Sequence, residues 1–149
     1  MIQAASADQA ALLASLHARA FDKAWSPEAV SKIMDNPAVF ALVSQGHATA
    51  QGFAMAWTAA GDSELLTVAV LPEARRCGLG ASLVQAAAVA AAARGARAMN
   101  LEVAEDNVSA RSLYEKLGFT TSGRRPGYYA NANGWIDAIT MRLTLAEAS

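Results

Sequence analysis

The stretch Leu65–Gly80, LLTVAVLPEARRCGLG, constrains this chain more than any other. A β-branched apolar run stops at Pro72. A basic turn follows, Arg75-Arg76-Cys77-Gly78-Leu79-Gly80, and then a long alanine-rich stretch of helical character. Strand, glycine-bearing turn and helix in that order leave unpaired N–H groups at the helix start, and the glycines let a ligand approach the main chain. Successive N–H groups in such a turn form a concave nest for phosphate oxygens. With two arginines at its rim, the segment predicts a pyrophosphate site.

Two familiar phosphate motifs do not fit. A dinucleotide fold wants G-x-G-x-x-G, with an acidic residue about 20 positions on. Gly78 and Gly80 match, but Leu83 stands in the third glycine's place. The P-loop string G-x-x-x-x-G-K-[ST] is absent. Arg75, Gly78 and Gly80 instead resemble motif A of the GNAT acyltransferases, R/Q-x-x-G-x-G/A. A second segment, Asn107–Phe119 (NVSARSLYEKLGF), resembles that family's N-x-x-A-x-x-L-Y-E-x-x-G-F signature and follows the glycine loop by one strand, as it does there. In physical terms, Asn107 or Ser109 can cap a helix whose apolar face carries Ala110, Leu113, Tyr114 and Leu117. Gly118 then supplies the left-handed C′ position and Phe119 the hydrophobic contact beyond it. Within the family, Glu64–Val70, Leu101-Glu102-Val103, Arg124–Tyr129 and Asp137-Ala138-Ile139 resemble the RimI type, which acetylates the N-terminal alanine of ribosomal protein S18. The likeness runs from about Glu64 to Leu143. Upstream it rests chiefly on Trp25-Ser26.

The resemblance implies a single acyltransferase domain over residues 1–149, with acetyl-CoA as co-substrate. The acetyl-CoA-binding core would lie at 64–119 and the acceptor-side elements mainly at 1–60. The pyrophosphate would lie on Arg75, Arg76, Cys77, Gly78, Leu79, Gly80 and Ala81. The acyl arm would run along Val68, Ala69 and Val70 past Asn107, with a backbone N–H of that strand serving the oxyanion. Tyr114 matches the family's general-acid tyrosine and Glu102 the RimI-type base. Trp25, Tyr128 and Tyr129, with Glu102, would meet the acceptor, and Trp135 is a further aromatic near them. Each has a plainer reading: Tyr114 as a core ring, Glu102 as a solvated strand-end charge, Asn107 as a helix cap, two of the aromatics as core.

Bulk properties agree. One domain's worth of chain, 149 residues, can bury a core. Hydrophobic residues make up 54%, inflated by alanine, but no apolar run reaches the ~18 residues of a spanning helix. The N-terminus lacks a basic-then-apolar leader, so a cytoplasmic protein away from membranes is expected. The lone Cys77 cannot form an internal disulfide, which suits a reducing compartment. Twelve basic against thirteen acidic residues, net −1, argue against nucleic-acid backbone binding. His17 and His47 show no metal-ligand spacing with Cys77. His17 is expected on the rim of the first helix and His47 in a turn. Asp62, Glu64, Glu105 and Asp106 read as a solvated face. The assembly expected is a monomer or weak dimer.

The pattern predicts a strand at Ile2–Ala5 and a helix opened by Ser6 and Gln9, with Leu12, Leu13, Leu16, Ala20 and Phe21 on its face. A second helix begins at Ser26-Pro27, with Val30, Ile33 and Met34 inward. Strands follow at Val39–Ser44 and Gly52–Ala59 with a turn near Gln45–His47, then the central strand Glu64–Leu71. The alanine-rich helix carries a Leu79, Leu83, Ala86, Ala90 stripe to Gly95. A strand at Ala98–Val103, the Asn107–Leu117 helix and strands near Thr120–Tyr128 and Asp137–Leu143 complete the chain. Together these give an α/β fold: one mixed, twisted sheet of about seven strands, splayed at its centre as the family's is, with helices on both faces.

Acceptors other than a protein N-terminus stay open at this level. A member of the same family acting on a small amine, or a non-catalytic acyl-CoA-binding regulatory module, would share the glycine loop. The second would need neither Glu102 nor Tyr114.

Overall fold

A computed structural model describes residues 1–45 and 49–146. Its elements run β1 (Ile2–Ala5), a 3-10 turn (Ala7–Gln9), α1 (Ala10–Ala20), α2 (Pro27–Met34), β2 (Val39–Gln45), β3 (Ala50–Ala59) and β4 (Asp62–Val70). A second 3-10 turn (Pro72–Ala74), α3 (Leu79–Ala93), β5 (Ala98–Ala104), α4 (Val108–Lys116), β6 (Thr120–Asn131) and β7 (Gly134–Thr144) follow. Seven strands form one sheet in the order β1-β2-β3-β4-β5-β7-β6, antiparallel except for the central β4–β5 pair. This is the mixed α/β sheet that the sequence predicts. The expected turn around His47 lies outside the described residues.

Period-two alternation sends each strand's side chains to opposite faces. Phe40, Ala54, Ala56 and Leu65 join Leu83, Val84, Ala87 and Ala91 of α3 in one core, and α4 lays Ala110, Tyr114 and Leu117 against it. Ala41, Val43, Phe53, Met55 and Ala69 meet Leu13, Ala14 and Leu16 of α1 and Val30 of α2 in the other. Alanine lets α3 lie close to the sheet. Its buried stripe is Leu83, Val84, Ala87 and Ala91 rather than the expected Leu79, Leu83, Ala86 and Ala90. The apolar, weakly patterned sequence of this helix leaves its rotation to the shape of the sheet.

Local chemistry ends the helices as expected. Ser26 Oγ accepts from Ala29 N–H at 3.1 Å, with Pro27 in the first turn. Asn107, rather than Ser109, caps α4, its side-chain oxygen accepting from Ala110 N–H at 3.3 Å. Gly118 takes φ +102°. Phe119 N–H then reaches Tyr114 C=O and Gly118 N–H reaches Glu115 C=O, both at 3.0 Å, which is the Schellman pairing. Phe119 is buried behind it.

Two expectations for α1 need correction. His17 is buried (4% exposed) instead of lying at the rim, and Phe21, just past the helix end, is 41% exposed instead of buried. The His17 ring stacks on Trp25 (centroids 4.5 Å apart, 15° between planes) and its Nδ1 accepts from Trp25 N–H at 3.1 Å. A local helical pattern could not foresee a partner eight residues on. Burial holds the His17 imidazole below its ordinary pKa.

Candidate active site

The centre of the sheet opens because β4 carries one residue more than β3 can pair. Met55 sits opposite Thr67 and Ala56 opposite Leu65, which leaves Leu66 as a bulge. A bulge bends its strand and raises its local twist. Accordingly β4 pairs with β5 only at Ser63–Met99 and Glu64–Asn100. Past that point β4 stays with β3, while Glu102, Val103 and Ala104 of β5 stay with Thr140, Ile139 and Ala138 of β7. The strands part around a cleft of about 320 Å³, lined among others by Phe21, Val68, Glu102, Asn107, Tyr114 and Tyr129.

Backbone donors face that cleft by the arithmetic of the ladder. Leu71 N–H donates to Gln51 C=O at 2.9 Å. Antiparallel pairs alternate in direction, so Ala69 and Thr67 also turn toward β3 while Val68 and Val70 turn away from it. Val70 C=O, on the cleft side, accepts from Arg75 Nε at 3.1 Å. Gly52, across from Val70, has no room for a side chain: an added Cβ would stand 2.6 Å from Ala69 C=O.

Beyond β4 the chain enters the glycine loop. Gly78 adopts φ +81° and caps α3, and its chain neighbours and own helix apart, an added Cβ there would meet no atom of the described residues within 4 Å. Ser82 N–H is taken up by Gly78 C=O at 3.0 Å. The N–H groups of Leu79, Gly80 and Ala81 lie ahead of it in the first turn, without intrahelical acceptors. The loop is therefore an open cradle of main-chain donors. Arg75 does not extend into it. Its guanidinium reaches Val70 C=O and, at 3.3 Å, Ala20 C=O, tying the loop to the ends of β4 and α1. Arg76, at φ +67°, and Cys77 are exposed, with Cys77 Sγ on Ala74 C=O.

Tyr114 reaches the cleft from α4, its ring edge-on to Phe119. Burial pushes its phenol above the ordinary value, which holds it protonated. Opposite α4, β5 supplies Glu102. One carboxylate oxygen of Glu102 is buried without a hydrogen-bond partner among the described residues. The Nε of Arg125, 3.3 Å away, is its ion-pair neighbour. Tyr129 stands at the same wall. Its phenol is raised by burial and then by the nearby Glu102 charge.

Arg125 and Tyr129 owe their positions to a feature that the sequence did not announce. Arg125 pairs with Ala138 and Tyr129 with Ile136, so Pro126-Gly127-Tyr128 on β6 stand opposite only Asp137 on β7. The Asp137 carboxylate holds this bulge, accepting from Gly127 N–H at 2.9 Å and from Arg124 at 2.7 Å. These bonds keep Asp137 below the usual carboxylate range. Arg124 also pairs with Glu105, so that part of the acidic face is neutralised.

The cleft thus brings together Glu102, Tyr114, Val68, Asn107 and Tyr129. Tyr128 packs edge-on to Tyr129 and is half exposed, Trp25 lies with His17 beneath the α1–α2 layer, and Trp135 is 73% exposed on the β6–β7 hairpin. Phe21 and Arg125 are site residues that sequence reasoning did not single out. The helical pattern puts Phe21 on the inward face of α1, and Arg125 falls inside the Arg124–Tyr129 stretch with no role of its own.

Similarity to known proteins agrees with this geometry. Residues 10–119 match the model of the acetyltransferase (GNAT) family. The [ribosomal protein bS18]-alanine N-acetyltransferase of Escherichia coli K12 is 35% identical over 107 residues, covering 72% of this chain and 71% of that one. A Bacillus subtilis relative is 30% identical over 133 residues, 89% of this chain and 87% of its own. The crystal structure of the Escherichia coli ribosomal-protein-S18-alanine N-acetyltransferase superposes with a TM-score of 0.92 at 26% identity, over all of this chain and 96% of that one. Fold, cleft and sequence together place the chain in the GNAT family of acetyltransferases.

Proposed function

We propose that this acetyltransferase moves an acetyl group from acetyl-CoA to the N-terminal amine of a protein, with the N-terminal alanine of ribosomal protein S18 as acceptor. The observation that carries the reading is the meeting of Glu102 and Tyr114 in one cleft where β4 and β5 part. The bS18-alanine acetyltransferases among its relatives support the acceptor. In this reading one domain spans the chain, with residues 64–119 on the donor side and much of 1–60 on the acceptor side.

The residues present fit acetyl-CoA. The cradle at Gly78 suits a diphosphate, since its chain neighbours apart no described residue crowds that glycine. Backbone donors from Arg76 to Ala81 would hold the phosphates, with Arg75 bracing the loop and Val68–Val70 and Asn107 alongside the acyl arm. When bound, acetyl-CoA supplies an acetyl group activated as a thioester. Glu102, through water, takes the proton from the incoming ammonium. The N–H of Val68 or Val70 faces the position of the oxyanion. Tyr114, kept protonated by burial, donates to the departing sulfur.

Magnitudes favour an α-amine. Its pKa is about 7.7–8.0, against about 10.4 for lysine, and each unit is worth about 1.4 kcal/mol. Deprotonation near pH 7.4 costs under ~1 kcal/mol for the α-amine and about 4 for lysine. A single carboxylate and a water suffice for the first.

Thiol release from acetyl-CoA should be fastest with a peptide beginning Ala-Arg-Tyr, and slow with spermidine or with a blocked peptide bearing only an internal lysine. Turnover with spermidine alone would move the enzyme to the small-amine class, and no turnover with any amine would leave a binding module.

A further inference from the structure

We infer that Arg125 is a displaceable stand-in for the acceptor's ammonium at Glu102, and so a residue that sets the enzyme's apparent affinity for its amine substrate. The inference rests on the amine-acceptor reading above. The buried Glu102 oxygen has no hydrogen bond among the described residues, although a carboxylate in that position needs a donor. Arg125 Nε approaches it at 3.3 Å without hydrogen-bonding alignment, so the pair is held by charge alone. A better-aimed N–H donor gains the bond that Arg125 does not make.

The contact is also easily surrendered. Arg125's side chain is 58% exposed against 19% for Glu102, so the arginine can return to water at little cost while the carboxylate cannot. A second resting place lies within reach, since the guanidinium carbon already sits 5.0 Å from the centroid of the Tyr128 ring. The Pro126–Tyr128 bulge, tied down by Asp137, presents Arg125 and Tyr128 side by side. An entering ammonium, with the relaying water between them, would take over the carboxylate's charge, and Arg125 would keep to the aromatic face. Each acceptor thus competes with a cation tethered to the protein.

The test is steady-state kinetics at saturating acetyl-CoA, with wild type, Arg125→Gln, Arg125→Lys, Glu102→Gln and the Arg125→Gln/Glu102→Gln double variant. The acceptors are the Ala-Arg-Tyr peptide and spermidine. Arg125→Gln should lower the acceptor KM roughly 3–10-fold, the change falling on KM rather than kcat, and Arg125→Lys should lie between it and wild type. In the Glu102→Gln background the same substitution should have no further effect, because the competition requires the carboxylate. An unchanged or raised KM in Arg125→Gln, or an equal drop without Glu102, overturns the inference. Transfer to spermidine alone would defeat the protein N-terminus reading while still measuring the Arg125 effect on an ammonium substrate. If neither amine is turned over, calorimetric titration of the CoA-loaded protein with the peptide decides. Tighter binding by Arg125→Gln upholds the inference, and equal or absent binding overturns it.

Discussion

The two ends of the β4–β5 pair are built from the same kinds of residue and behave oppositely. At the joined end no buried side-chain polar atom lacks a partner among the described residues. Asn100 donates to Asp62 at 2.9 Å and to Ser63 C=O at 3.1 Å, and accepts from Arg142 at 2.9 Å. The buried Ser63 hydroxyl reaches Ala98 C=O at 2.7 Å, and Trp57 donates to Glu64. At the parted end Glu102 keeps an unmatched oxygen among the described residues, and Val68 lines the cleft with its main chain turned away from β3. Satisfied groups stabilise a fold, whereas unsatisfied ones are available to a substrate. The bulge at Leu66 separates the two regimes.

The largest effect should come from the parted end. Tyr114→Phe is expected to lower kcat by about 10²–10⁴, the usual range of a general-acid contribution, with little change in melting temperature because no protein group bonds its hydroxyl among the described residues. An unchanged kcat, measured in single turnovers, would reassign Tyr114 to packing. The joined end should respond the other way. Asn100→Leu removes three hydrogen bonds at once, leaving Asp62 only Ser63 N–H and its ion pair with Arg142 among the described residues, and should cost about 1–3 kcal/mol of unfolding free energy while kcat falls less than about tenfold. Denaturant titration alongside kinetics measures both, and loss of activity at full stability would dissolve the distinction between the ends.

A smaller, pH-dependent effect should sharpen the comparison. Phe21, a wall of the parted end, rests on the buried His17, ring centroids 4.5 Å apart. The folded pKa of His17 is depressed, so the unfolded chain takes up the proton first as pH falls. The associated stability is complete above about pH 6.5, the unfolded value, and is lost as pH drops through the lower folded value. Melting temperature should therefore decline as pH falls below about 6.5, and His17→Gln should flatten that decline. Parallel slopes for the two proteins would remove His17 from the account.

Much of this architecture was legible in local patterns. The caps at Ser26 and Asn107, the Gly118–Phe119 helix stop and the strand–loop–helix around Gly78 depend on neighbours a few residues away, and each appears in the structure. The meeting of Glu102 with Tyr114 was legible only by resemblance. The rotation of α3, the burial of His17, the exposure of Phe21 and the bond of Arg75 to main-chain carbonyls were not legible, because each depends on a surface brought from elsewhere in the chain.

The sequence by itself determined where the chain turns, which runs alternate with period two or wind with period 3.6, and that a glycine cradle opens the long helix, since those follow from short-range sterics and hydrogen bonding. Only the tertiary structure decided that one surplus residue at Leu66 parts the sheet, and that a three-residue bulge opposite Asp137 sets Arg125 against Glu102. Register is a property of two strands at once, and neither strand's sequence contains it.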